Sequence, residues 1–277
     1  MKVCFFDKCV FKKFGEIITW GSVVLTFLSV IIPFPQNWSR LWAVIVLAAV
    51  FAAVYICVWV WANKKKSVTI NLHGTRILVE EGDLFTTPGK KLIPFNEYFD
   101  TEVESGIIDE RSLNGQYIKI YAKKTSAELK ESIVSQLNKR GKIPCLVDAA
   151  RPCGNKIKYE LGTIYDDGND FWLMAYSRFD SDNRAYLSQE DILNCYINMW
   201  NEIDKLRGNN SVAIPLLGGS GLVRFRKDYS PQQLVELLLW SFDISGIHLS
   251  RSATLRIVLG KDVASDVNLL QLTTYSE

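Results

Sequence analysis

Histidine is nearly absent from this chain: two residues, His73 and His248, in 277. The six cysteines (Cys4, Cys9, Cys57, Cys145, Cys153, Cys195) form no CxxC pair. Zinc sites need closely spaced sulfur and nitrogen ligands, so no metal site is expected and no resident cofactor is implied; the thiols read as reduced groups in a cytosolic setting. An excess of one charge is missing too. Lys and Arg total 32 against 30 Asp and Glu, a formal net charge of +2, and the basic residues are dispersed, which argues against a nucleic-acid-binding face. There is no GK[ST] phosphate loop and no GxGxxG fingerprint. Most telling is a local absence: 17–34, IITWGSVVLTFLSVIIPF, and 41–62, LWAVIVLAAVFAAVYICVWVWA, contain no Asp, Glu, Lys, Arg or His.

At 1.5 Å rise per residue, helices over these two segments would be about 27 and 33 Å long, the thickness of a bilayer's hydrocarbon core. The link PQNWSR carries Pro35, Gln36, Asn37 and Arg40, which suits a tight turn between antiparallel helices. Lys2, Lys8, Lys12 and Lys13 precede the first span and Lys64, Lys65 and Lys66 follow the second, so both termini are expected on the cytoplasmic side of a multi-pass protein. Trp20, Trp38, Trp42, Trp59 and Trp61 lie toward the span ends, where an indole keeps its N–H wet. A cleaved signal peptide is the rival reading, but the first span starts late, lacks an A-x-A-like site and is followed at once by a second. A buried core hairpin is a further rival, although neither run shows a polar face. With no ionisable group inside, the spans mark no ion relay. They read either as a plain anchor or, through the small residues Ala48, Ala49, Ala52 and Ala53, as helices that assemble closely enough to perturb a membrane. The expected division is a transmembrane hairpin over 1–66 and a soluble domain over 67–277.

In the soluble part, Val68, Ile70 and Leu72 alternate with polar residues, and His73 and Gly74 turn the chain into a second apolar run, a hairpin signature. KLIPFN reads as a buried central strand, and YIKIYA over 117–122 as another strand. Thr125 and Glu128 stand at capping-box spacing ahead of a stripe of Leu129, Ile133, Val134 and Leu137, which predicts an amphipathic helix. Strands are expected near 159–164, 171–176, 211–217 and 255–259, and helices over 188–207 and 231–242. Strands interleaved with helices imply an α/β domain with a mixed sheet and helices on both faces.

Three local patterns carry chemistry. After the apolar strand ending at Leu217 come Gly218, Gly219, Ser220, Gly221 and Leu222, then a helix. Glycines permit positive φ and let backbone N–H groups approach an anion, so this segment either cradles phosphate or makes a tight structural turn. In VEEGDLFTT, Asp83 follows a strand. Its carboxylate can accept from an amino group, with Leu84 and Phe85 offering an apolar surface for a ring, or it can cap its own turn. In IPFNEYFDT, Asn96 ends a buried strand and Phe99 lies three residues on; the amide can hold a sugar hydroxyl or satisfy the turn.

In this order, GDL at 82–84, IPFN at 93–96 and IPLLGGSGL at 214–222 resemble the macro domain, the ADP-ribose-binding fold. The resemblance implies Asp83 at the adenine amino group, Leu84 and Phe85 near the adenine ring, Asn96 near the distal ribose, and Gly218, Gly219, Ser220, Gly221 and Leu222 around the phosphates; Phe99 is counted with these ligand-binding residues. One departure stands out: where many macro domains carry a run of glycines after the Asn, DTEVESGIIDERSLNGQYI has only Gly106 and Gly115. De-ADP-ribosylating members depend on that region, so binding is expected rather than hydrolysis. With NEYFDT and SLNGQ and two membrane helices in front, the chain resembles the membrane-bound macro-domain effectors of Thoeris antiphage defence. That resemblance implies a partner TIR protein that makes an ADP-ribose-type signal such as histidine-ADP-ribose, a macro domain that senses it, and a homo-oligomeric hairpin that harms the inner membrane of the infected cell. Two alternatives stay open. One is a membrane-tethered ADP-ribosyl hydrolase using Asp100, Asp109 or Glu110 to activate water; the other is a passive tethered scaffold with no nucleotide affinity.

Overall fold

The computed structural model describes residues 2–31, 40–103, 106–180, 182–219, 221, 223–225, 229–250 and 252–276, with the side chains of 28–31 and 40 left out. Two long helices come first, α1 (Lys8–Ile31) and α2 (Arg40–Lys64), packed on each other. The 35–39 part of the expected turn lies outside the described residues. Then follow β1 (Ser67–Leu72), β2 (Thr75–Glu81), β3 (Lys90–Asn96), the short α3 (Leu113–Gln116) and α4 (Ser126–Lys139). A two-stranded ribbon, β4 (Leu146–Val147) with β5 (Ile157–Lys158), precedes β6 (Ile164–Asp166), β7 (Phe171–Phe179) and β8 (Ala185–Leu187). The chain continues through α5 (Gln189–Leu206), β9 (Val212–Pro215), β10 (Arg224–Phe225), α6 (Pro231–Ser245), β11 (Thr254–Leu259) and α7 (Lys261–Ala264).

The main sheet runs in the order β1-β2-β11-β9-β3-β7-β8-β10, with β6 also on β7. β2, β11, β9, β3 and β7 are mutually parallel; β1, β6 and β8 pair antiparallel at the flanks. The sheet is therefore mixed. Alternation along its strands divides two cores. Leu92, Trp172, Met174, Ile214 and Ile257 face α5 and α6, while Ile93, Leu173, Ala175 and Val258 face α4. Helices thus cover both faces, and the central strands are apolar on both sides.

The helices start where their caps dictate. Thr125 with Glu128, Ser188 with Asp191, and Ser230 with Gln233 each form a reciprocal capping box, and α6 also has Pro231 in its first turn and Gly246 at φ +65° to end it. Two expectations need correction. Residues 117–121 are a wide helical turn continuing α3, not a strand. Only Tyr117 is buried there, wedged against Phe95 and Phe171, while Ile120 is exposed, so one anchored ring outweighs the β propensity of the run. Likewise no strand runs over 159–163: these residues link β5 to β6 through a turn at Gly162 with φ +89°, and only Ile164 enters β6.

Candidate functional site

A cleft of about 1100 Å³ opens at the carboxyl ends of the five parallel strands, the place where open α/β sheets receive ligands. β2 delivers Glu81 and, just beyond its end, Asp83. β3 delivers Pro94 to Asn96, β7 delivers Tyr176, Ser177 and Phe179, β9 leads into Leu216 to Gly219, and β11 leads into Gly260 and Lys261. β3 and β7 shift register between Phe95 and Asn96, which leaves Tyr176 as the extra residue where the two strands reach the cleft. Bulges of this kind re-aim side chains beside binding sites.

Of the residues singled out in the sequence, Asp83, Leu84, Asn96, Gly218 and Gly219 meet in the wall of this one cleft. Asp83 Oδ1 accepts from the Phe85 N–H at 3.0 Å, capping a short 3-10 turn. Among the described residues its other oxygen takes no hydrogen bond, so the carboxylate both holds its turn and offers an acceptor. Asn96 is buried and heavily engaged. Its Oδ1 accepts from the N–H groups of Tyr98 and Asp100 at 3.0 and 3.3 Å, and its Nδ2 donates to Asp100 Oδ2 at 2.9 Å. Gly218, at φ +80°, turns the chain where a Cβ would stand 2.3 Å from the Phe225 ring and 3.0 Å from the Tyr176 hydroxyl. Only glycine satisfies both the angle and the space.

Two aromatics turn away. Phe85 stacks on Tyr121 with ring centres 4.4 Å apart and does not line the cleft. Phe99 is buried in the core beside Phe95 and Tyr159. In this structure both are packing residues. Gly221, at φ +70°, is also absent from the cleft wall, while Ser220 and Leu222 lie outside the described residues.

Under the floor runs a buried ionic network. Arg151 grips Asp100 through both carboxylate oxygens, at 3.0 and 2.8 Å, with the two side chains 5% and 2% exposed. Arg151 also donates to the Asn183 side-chain oxygen at 3.2 and 2.7 Å, and Asn183, at φ +56°, lines the cleft. A bidentate guanidinium thus links the Asn96 turn to Asn183 in the cleft wall. Beside it, the buried Glu97 takes Lys158 at 2.9 Å and Arg178 at 3.1 Å. Burial, with Glu97 and Asp148 nearby, pushes the Tyr98 phenol up to about 12.

Several cleft residues went unnoticed in the sequence. Lys66, Arg111, Arg184, Arg224 and Lys261 place five cationic side chains around the cleft, against the carboxylates of Glu81, Asp83, Asp109 and Asp262. Arg224 is paired with Asp180, whose carboxyl is held below its usual range, first by the Arg184 backbone N–H. Ile107, Ile108 and Leu113 give the stretch after Asn96 an apolar wall where a glycine loop was absent. The sheet order would have flagged the segments after β7 and β11, because both leave the carboxyl ends of parallel strands.

The three carboxylates considered for water activation are committed elsewhere. Asp100 is consumed by Arg151, Asn96 and the Asn155 N–H; Asp109 is held below the usual carboxylate range by its hydrogen bonds to Arg111; Glu110 pairs with Lys119. A carboxylate so held is a weak base. Among the described residues no group of His, Cys, Asp and Glu is placed to hold a metal ion.

Residues 77–260 match the family described as Thoeris protein ThsA, Macro domain. The chain belongs to the Thoeris ThsA macro-domain family. A ThsA relative agrees over almost the whole length: the Thoeris protein ThsA of Bacillus amyloliquefaciens (strain Y2) is 33% identical over 282 residues, spanning 96% of this chain and 93% of the relative. The match to ThsA thus extends through the two N-terminal helices as well as the sheet. Among solved structures, a substitution mutant of the Oceanobacillus iheyensis macrodomain aligns at TM-score 0.45 and 11% identity over 76% of this chain and 92% of that one. The same macrodomain with MES bound aligns at 0.45 and 10% over 75% and 95%. At those scores nothing further rests on the likeness.

Proposed function

We propose that this chain is a membrane-anchored sensor-effector of antiphage defence. Its cleft takes an ADP-ribose-derived signal, such as histidine-ADP-ribose, made by a TIR-domain partner, and the bound state drives a homo-oligomeric helix hairpin to disrupt the inner membrane. The observation that carries this reading is the convergence of Asp83, Asn96 and the Gly218–Gly219 turn on one cleft at the carboxyl ends of the parallel strands, in a chain of the ThsA macro-domain family. A carboxylate at one strand end, backbone N–H groups at a glycine turn and a ring of Lys and Arg suit a ligand with an adenine and a diphosphate. The cleft volume exceeds the usual 300–1000 Å³ of a small-molecule site, leaving room for a group beyond ADP-ribose.

The membrane part of the reading draws on α1 and α2. Among the described residues one helix, Leu41–Lys64, is long and apolar enough to cross a membrane, and only 11% of its most apolar window is buried. A core helix of a soluble protein would be mostly buried. In α1, Trp20, Val24, Leu25 and Phe27 are likewise exposed, and the hydroxyls of Thr19, Ser22 and Thr26 donate to carbonyls one turn back, so none of them needs water. On this reading α1 is the first span of a hairpin with both termini cytoplasmic.

Binding without turnover is favoured over hydrolysis by the commitment of Asp100, Asp109 and Glu110 to arginine and lysine partners. The test is release of a trapped dye from vesicles of phosphatidylethanolamine and phosphatidylglycerol carrying the full chain. Histidine-ADP-ribose is expected to trigger release from wild type and not from Asp83→Ala. Release that persists in Asp83→Ala, or free ADP-ribose accumulating as a product, would sink the reading.

A further inference from the structure

Residues 2–7 form neither helix nor strand, yet α2 grips them along one face. The Val3 N–H donates to Asn63 Oδ1 at 3.1 Å, and its carbonyl accepts from Trp59 Nε1 at 3.2 Å and Asn63 Nδ2 at 3.3 Å. The Tyr55 hydroxyl donates to the Phe5 carbonyl. Tyr55, Trp59 and Asn63 recur every four residues, so one stripe of α2 holds the segment. Asp7 Oδ2 accepts from Asn268 Nδ2 at 3.1 Å, and Val3, Val10, Val58, Ala62 and Leu270 close an apolar cluster around the contact. At the head of this strap the Lys2 ammonium donates to Glu81 Oε2 at 3.1 Å and to the Lys65 carbonyl at 3.3 Å. Glu81 lines the cleft two residues before Asp83, and Lys66 lines it as well.

We propose that Lys2 is a positioning residue for the cleft, and that the 2–7 strap couples occupancy of the Asp83 end to the packing of α2. The inference rests on reading the cleft as an ADP-ribose-type site. A ligand whose amino and hydroxyl donors enter beside Asp83 competes with the Lys2 ammonium for the Glu81 carboxylate. It therefore binds better when Lys2 has let go, and by linkage anything that loosens the strap tightens the ligand by the same factor. Release of Lys2 frees the Val3 and Phe5 contacts in turn, and α2 loses the restraint that holds it against the C-terminal segment.

The test is calorimetric titration of the full chain in lipid nanodiscs with ADP-ribose and with histidine-ADP-ribose, comparing wild type with Lys2→Ala, Lys2→Arg, Asn63→Ala and Trp59→Phe. Asn63 and Trp59 do not line the cleft, so a purely local charge effect would leave their variants unchanged. Lys2→Ala and Asn63→Ala are expected to bind about fivefold tighter or more. Trp59→Phe, which deletes a single donor to Val3, should shift the same way by less, and Lys2→Arg should restore the wild-type value. Equal affinities in all five proteins overturn the coupling and leave the cleft reading intact; weaker binding in Lys2→Ala overturns the competition with Glu81. No binding by wild type overturns the cleft reading and the coupling with it.

Discussion

α2 and β7 are built from the same residue types and treat them oppositely. Across β7 the run from Phe171 to Ser177 is buried, sandwiched between α4 on one face and α5 on the other. In α2, Leu41 is 70% exposed and Val44 63% exposed. The α/β part makes its own interior: capping boxes fix where α4, α5 and α6 begin, and alternation along the strands gives each face something to bury. The helices instead display apolar surface, and on the proposed reading a bilayer supplies the interior they lack. The lesson is that an apolar run states a preference for solvent and not a location. Location follows from whether the surrounding pattern offers a partner.

That contrast can be broken in stages. Trp200 is buried against Phe242 and donates to the Ser241 hydroxyl at 2.9 Å, so Trp200→Ala should cost about 3–5 kcal/mol, read as a lower midpoint in guanidinium unfolding. Arg151→Met should cost close to the same, about 3 kcal/mol, by leaving the Asp100 carboxylate buried without its cation. Because Arg151 also fixes Asn183, that variant should weaken ADP-ribose binding as well, whereas Trp200→Ala at a temperature where it stays folded should not.

Glu202 gives a smaller, pH-dependent effect. Burial alone would raise its pKa, but Lys142 at 2.8 Å and Arg140 at 2.6 Å outweigh burial and hold the carboxyl below its usual range. Its folded pKa is therefore depressed, and its contribution to stability is present above the unfolded value near pH 4.3 and lost as pH falls through the folded value. Glu202→Gln should cost about 2 kcal/mol at pH 7, and the gap to wild type should close below about pH 4. A gap that stays constant with pH would show that packing, not charge, is responsible. The smallest effect belongs to the helix pair. Val44→Ala should change unfolding of the α/β part by less than about 0.5 kcal/mol, since the side chain is 63% exposed; a larger shift would mean that the helices share the domain's core.

How much of this was legible in the sequence varied with the physics involved. The β1–β2 hairpin, β3, α4, α5, α6 and β11 were legible because each carries a local signature, an alternation or a cap. The 117–121 turn was not, because its apolar residues fit a strand and only the packing of Tyr117 decides otherwise. Phe85, beside Asp83, reads in sequence as an apolar surface for a ring, and its stacking on Tyr121 shows only in the fold. Asp83, Asn96, Gly218 and Gly219 stand out in the sequence because strand ends and glycine turns are local features, and the fold brings them into one cleft wall. Arg184, Arg224 and Lys261 were not found. Their position depends on which strands pair, and the sequence of a loop does not encode its neighbour in the sheet. The Lys2 strap was hidden for the same reason: its partners Glu81 and Asn63 lie far along the chain.

On the proposed reading, Asp83 and the glycine turn form a site for an ADP-ribose-type ligand. The most direct measurement is calorimetric titration of the full chain, wild type and Asp83→Ala, with ADP-ribose, histidine-ADP-ribose and NAD. Saturable binding of an ADP-ribose derivative to wild type is expected, with a loss of at least about tenfold in Asp83→Ala from removal of a charged hydrogen-bond acceptor, and unchanged unfolding of the variant. Equal affinity in the two proteins, or no heat with any of the three ligands from a folded chain, would contradict it.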